Sequence, residues 1–150
     1  MTALDRWRRL LPALWAGWLL CVAGLATPAP FATLVQTDAG RVVARMLAQE
    51  AGSALFFGGV LLLLARVAAR RGGGPQFSVD MGLALGAIVC TVAGYYAVQP
   101  MMVAARAGQG ALSFGQLHAV SAAFYLVKLG LVLALAWRAS RAPVSPPASS

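Results

Sequence analysis

Residues 10–37 form a run of 28 positions without one charged side chain. About 20 apolar residues in a helix cross the roughly 30 Å hydrocarbon layer of a bilayer, so a run of this kind reads as a membrane span. A second run, Met81 to Ala105, is equally free of charge. Ala51 to Ala65 is shorter, and it spans only if Glu50 enters near one interface while Arg66 snorkels to the other. The fourth run, Ala119 to Trp137, is interrupted by Lys128. These runs predict an all-α, integral-membrane four-helix bundle in one domain over residues 1–137, with helices over about 10–30, 46–69, 79–99 and 116–138. The Pro/Ser-rich stretch 139–150 is expected to be a disordered cytoplasmic tail.

Composition excludes the other classes. Hydrophobic residues make up 60% of the chain and charged residues 11%, less than half the charge of a typical soluble domain. Disorder, coiled coil and collagen fail on the same figures. The net charge of +8 would suit phosphate binding, but the basic residues stand at the ends of the apolar runs, as the positive-inside rule requires. No nucleic-acid partner is expected. Arg6, Arg8, Arg9, Arg66, Arg70, Arg71, Arg138 and Arg141 share one side if the helices alternate, against Arg41, Arg45 and Arg106 on the other. That places both termini in the cytoplasm. Trp7, Trp15 and Trp137 suit an aromatic belt at the inner interface. A charged start and an apolar core also fit a signal peptide over residues 1–32. Prolines beside the candidate cleavage bonds argue against processing.

Between the spans, Arg-Arg-Gly-Gly-Gly-Pro-Gln (70–76) reads as a tight polar turn. Thr37 or Asp38 is expected to cap a helix that lies amphipathically at the outer surface before entering span two. Gln99-Pro100 and Pro28-Ala29-Pro30 are expected to mark the outer ends of spans three and one. An offset of 70 residues aligns Pro30 with Pro100, Gly40 with Gly110 and Leu47 with Leu117, a thin signal of internal duplication.

Lipid is as apolar as leucine, so spans associate through close packing of small residues and through polar contacts. Gly82, Gly86, Cys90 and Gly94 lie on one stripe of span three, and Ala13, Gly17 and Cys21 on one stripe of span one. Both are expected packing seams. Cys21 and Cys90 fall at similar depth, which leaves two readings: small packing residues, or a paired thiol site for a soft ion such as Cu(I).

Span four carries His118, Ser121, Tyr125 and Lys128 within an arc of about 80°. Thr91, Tyr95 and Gln99 form a companion row on span three, and Glu50 and Ser53 stand at the entrance of span two. The inner halves are wholly apolar, which suggests a polar pocket in the outer half closed by an apolar plug. Lys128 costs about 2.5 to 3.5 kcal/mol at the centre of a span. Helix rise puts Glu50 some 14 to 16 Å away along the axis, so the two meet only if both lean toward each other. Otherwise Lys128 is neutral or wetted by a cavity. His118 with Met101 and Met102 offers imidazole and thioether groups near the outer surface.

The blocks Leu-Trp-Ala-Gly-Trp-Leu-Leu-Cys (14–21), Ala-Gly-Arg-Val-Val-Ala-Arg (39–45), Tyr-Tyr-Ala-Val-Gln-Pro (95–100) and Phe-Gly-Gln-Leu-His-Ala-Val-Ser (114–121) resemble the bacterial transmembrane-protein-205-like domain family, over about Leu10 to Trp137. The resemblance implies a small four-helix inner-membrane protein of uncharacterised activity. A eukaryotic relative associated with platinum-drug resistance hints at export or trafficking. Members often carry an acidic or amide side chain where this chain has Lys128, so the resemblance implies no shared role for that lysine. No nucleophile–base set, phosphate loop or zinc spacing is present, and no enzymatic activity or cofactor is expected. The expected function is that of a structural or accessory protein of the membrane, whose partners are the lipid bilayer and a second copy or another membrane protein. The alternative is a transporter of small solutes or soft metal ions.

Overall fold

The structure, a computed structural model, describes residues 2–72 and 77–141. Most of the glycine-rich turn and the Pro/Ser-rich stretch from residue 142 on lie outside the described residues. Four helices are long and apolar enough to cross a membrane: Ala3–Thr33, Gln36–Arg71, Val79–Arg106 and Phe114–Arg141, here spans one to four. Span one consists of α1 (Ala3–Cys21), a π-helical turn (Val22–Ala26) and α2 (Pro28–Thr33). Span two is one continuous helix, α3 (Gln36–Gly72). Span three repeats the first pattern with α4 (Val79–Thr91), a π-helical turn (Val92–Ala97) and α5 (Val98–Arg106). Span four is α6 (Phe114–Arg141).

Short polar side chains start these helices. Thr2 accepts from the Asp5 amide while the Asp5 carboxylate accepts from the Thr2 amide, a reciprocal cap. Ser113 and Gln116 exchange the same pair of bonds ahead of α6. Ser78 accepts from the Met81 amide at the start of α4. Helix α3 differs from expectation: neither Thr37 nor Asp38 caps it. It begins a turn earlier, with the amides of Asp38 and Ala39 donating to the Val35 carbonyl, and it runs straight into span two, burying Ala39 and Val43 on the way.

The proline pairs do not end their spans. A proline ring clashes with the carbonyl four residues earlier. For Pro28, Pro30 and Pro100 those carbonyls belong to Gly24, Ala26 and Tyr96, each inside a π turn. The wider i→i+5 turn makes room for the ring, so the helix continues. Both π turns open on Val-Ala-Gly, at residues 22–24 and 92–94, in register with the 70-residue offset. The offset fails further on: Gly40 is helical, whereas Gly110 lies between α5 and α6 at φ +103°, which favours glycine.

The spans pack in a ring, each touching the next and span four closing on span one. Spans one and three are therefore diagonal, and their small-residue stripes do not face each other. Trp15, Leu19, Ala54, Leu61, Ala84, Ala87, Val132 and Leu135 form the core. Trp15 is fully buried against Phe57, whereas Trp7 and Trp137 are exposed. A belt position thus suits the last two and not Trp15. At the end that carries the termini, Asp80 accepts from Arg138 at 2.9 Å and lies 3.9 Å from Arg8, joining three spans.

Candidate functional site

Span two buries Ala39, Val43, Glu50, Ala54, Gly58, Leu61 and Ala65, close to a three-and-four spacing. Glu50 sits on that inward row and is 2% exposed. On span four the bundle-facing row is Leu117, Ser121, Tyr125, Lys128, Val132 and Leu135, and Lys128 is 3% exposed. Of the expected polar stripe, Ser121, Tyr125 and Lys128 thus lie on the face that α6 turns to its neighbours, while Leu117 rather than His118 continues that face outward. Lys128 Nζ donates to Glu50 Oε1 at 2.7 Å and to Oε2 at 2.9 Å. The ion pair crosses the diagonal of the ring, from span two to span four.

The axial gap that sequence counting placed between these residues closes for two reasons. Helix α3 begins at Gln36, so Glu50 lies as many residues into span two as Lys128 lies into span four from Phe114, inside the bundle rather than at its mouth. In addition, side chains lean toward the N-terminus of their helix. Span four enters at the end opposite the termini, so its lysine arm of about 6 Å reaches toward the level of Glu50.

Two hydroxyls flank the pair. Tyr125 donates to the Leu19 carbonyl at 2.8 Å, and its ring lies 4.6 Å below Lys128 Nζ. Ser121 donates to the Gly94 carbonyl at 2.7 Å, inside the second π turn. Leu19 lies just before the first π turn, so α6 bonds to spans one and three next to both irregular turns. Around Glu50, the Trp18 indole N–H donates to Ser53 Oγ at 2.9 Å, and Ser53 in turn donates to the Glu50 carbonyl.

The structure therefore brings together Glu50, Tyr125 and Lys128, with Ser53 and Ser121 adjoining. It does not bring in the others. Thr91 is buried but donates back to Ala87 of its own helix. Tyr95 stacks edge-on against Tyr96, and Gln99 is partly exposed. His118 is exposed and stacks on Phe114. Cys21 is exposed and Cys90 half-buried on diagonal spans, so no paired-thiol site forms. Among the described residues no group of three or more His, Cys, Asp or Glu side chains is gathered for a metal.

The packing stripes divide in the same way. A Cβ on Gly86 would meet Leu131 at 3.1 Å, and one on Gly94 would overlap the Phe124 Cβ, so this stripe seats span three on span four; Gly82 meets only Phe77 at 3.6 Å. Ala13, Gly17 and Cys21 are exposed on the far side of α1 from Trp15 and Leu19. Sequence reasoning missed the seam on span two, Ala51, Ala54, Gly58 and Ala65, whose small residues at three-and-four spacing were its signal. It also missed Trp18 and the carbonyls of Leu19 and Gly94, which carry no side-chain signature. Trp15 Nε1 is buried without an acceptor among the described residues.

Four apolar spans tied by an ion pair and two hydroxyl bonds define a small helical membrane protein. Residues 10–111 match the family described as a domain of unknown function, DUF4149, and the chain belongs to that family. The matched segment holds Glu50 and both π turns and ends before Ser121, Tyr125 and Lys128. No curated protein and no solved structure matches the chain.

Proposed function

We propose that this protein is a structural or accessory component of the bacterial inner membrane, of the transmembrane-protein-205-like kind, with both termini cytoplasmic and no enzymatic activity. The observation that carries the reading is the Glu50–Lys128 pair, in which both charges are buried and each is satisfied by the other. Tyr125 and Ser121 are likewise bonded to neighbouring spans. Polar groups so committed act as ties, which in lipid replace the hydrophobic drive that holds soluble bundles together. Orientation follows from eight arginines at the end with the termini against three at the other. The exposed Ala13, Gly17 and Cys21 leave span one a smooth face for a second copy or another membrane protein.

A second reading, transport of a small solute or soft metal ion, is favoured by the same pair, since ionisable groups inside a membrane commonly lie on ion or proton pathways. Extraction into native nanodiscs followed by mass measurement, together with flux assays in proteoliposomes, separates the two. The structural reading expects a stoichiometric companion and no flux of protons or Cu(I). A lone monomer whose flux disappears in Glu50→Gln would overturn it.

A further inference from the structure

At the end of the bundle opposite the termini, charge is left over. Arg41, Arg45 and Arg106 lie there with Asp38, while Glu50 is spent on Lys128. Three guanidinium groups thus face one carboxylate, on the side from which the positive-inside rule removes arginine. Two of the three share a groove. Gln36, Thr37, Gly40, Arg41, Ala44 and Arg106 line an open depression of about 530 Å³ between the start of α3 and the end of α5, a volume within the usual range for small-ligand sites.

The lining has donors in excess. Arg106 is exposed, with its Cζ 4.4 Å above the Phe114 ring, and it has no carboxylate partner among the described residues, so its N–H groups can donate to an anion. Arg41 gives one nitrogen to Asp38 at 3.1 Å and has no other partner among the described residues. Gln36 and Thr37 stand in the first turn of the longest helix, at the positive end of its dipole. A Cβ at Gly40 would meet nothing, so the groove floor is open to a ligand.

The geometry points to a phosphate-binding site between Arg41 and Arg106, placed where a phospholipid headgroup meets the protein. Phosphate suits it because two donor-only arginine forks dominate the lining, and the Gln36 amide and Thr37 hydroxyl can each donate as well to an oxygen-rich anion. Lipid phosphodiester and free phosphate share this chemistry. The site stands whether the bundle is structural or transporting.

Full-length protein in detergent, depleted of lipid, is titrated with dioleoyl phosphatidylglycerol, with dioleoylglycerol as the phosphate-free control, and separately with inorganic phosphate. Native mass spectrometry reads the lipids and calorimetry the anion. Phosphatidylglycerol is expected to bind and dioleoylglycerol not to. Arg41→Gln and Arg106→Gln should each weaken binding roughly tenfold, the double variant more, and Arg45→Gln less than threefold. Unchanged helicity and melting on circular dichroism confirm that the variants fold. Binding of inorganic phosphate alone, with the same arginine dependence, supports the site and assigns free phosphate as its source. Equal binding of dioleoylglycerol, or full binding by the double variant, overturns it.

Discussion

Removing one partner of the Glu50–Lys128 pair should destabilise the bundle far more than removing both. The side chains are 3% and 4% exposed, and both carboxylate oxygens are bonded to the ammonium at 2.7 and 2.9 Å. Lys128→Met keeps most of the volume and leaves a carboxylate in apolar surroundings with no counter-charge, a cost of about 3 to 5 kcal/mol. Glu50→Leu strands the ammonium, with a cost in the same range. In the double variant neither charge remains, and two apolar chains of similar size fill the diagonal; its stability should lie within about 1.5 kcal/mol of wild type, or above it. The coupling energy in the double-mutant cycle is then at least about 4 kcal/mol, well above the 0.5 kcal/mol within which independent sites add. Reversible unfolding in mixed micelles, followed by circular dichroism, measures each corner of the cycle. Additive costs, or a Lys128→Met cost below about 1 kcal/mol, would mean that water reaches the pair and that it does not tie spans two and four.

Smaller perturbations follow the same geometry. Gly94→Ala drives a Cβ into Phe124 and should cost about 1 to 3 kcal/mol in the same assay, while Gly17→Ala meets nothing and should be neutral or stabilising by up to about 1 kcal/mol. Tyr125→Phe and Ser121→Ala each remove one interhelical hydrogen bond, for which about 0.6 to 1.7 kcal/mol apiece is expected in unfolding measurements. Asp80→Asn frees Arg8 and Arg138, but these side chains are 33% to 50% exposed; a loss of no more than about 1 kcal/mol in the same titration is expected.

Much of the candidate site is written in residue types. Lys128 interrupts an apolar run, and its spacing with Ser121 and Tyr125 marks one face of α6. Glu50 is equally legible as a member of the row Ala39, Val43, Glu50, Ala54, Leu61, Ala65 once span two is read as a single long helix. Reading its apolar part alone, from Ala51, makes Glu50 an edge residue and hides the pairing. His118, Thr91, Tyr95 and Gln99 share the polar character of the row and not its partners, because polarity at a given depth does not say which neighbour lies opposite.

What the sequence determined by itself is that the chain holds four helices apolar enough to cross a bilayer: two are free of charge over more than 20 residues, and two reach that length only by taking Glu50 or Lys128 inside. It also marked Lys128 as a costly residue within a span, to be paired, neutral or wetted, and left that choice open. Which faces meet was decided only by the tertiary structure. In water an apolar stripe points to the core, but in lipid both faces of a span are apolar, so Ala13, Gly17 and Cys21 can face outward as readily as Gly86 and Gly94 face inward. The order of spans around the ring, which sets Glu50 across from Lys128 and Cys21 away from Cys90, is a property of the packed bundle and of no single helix.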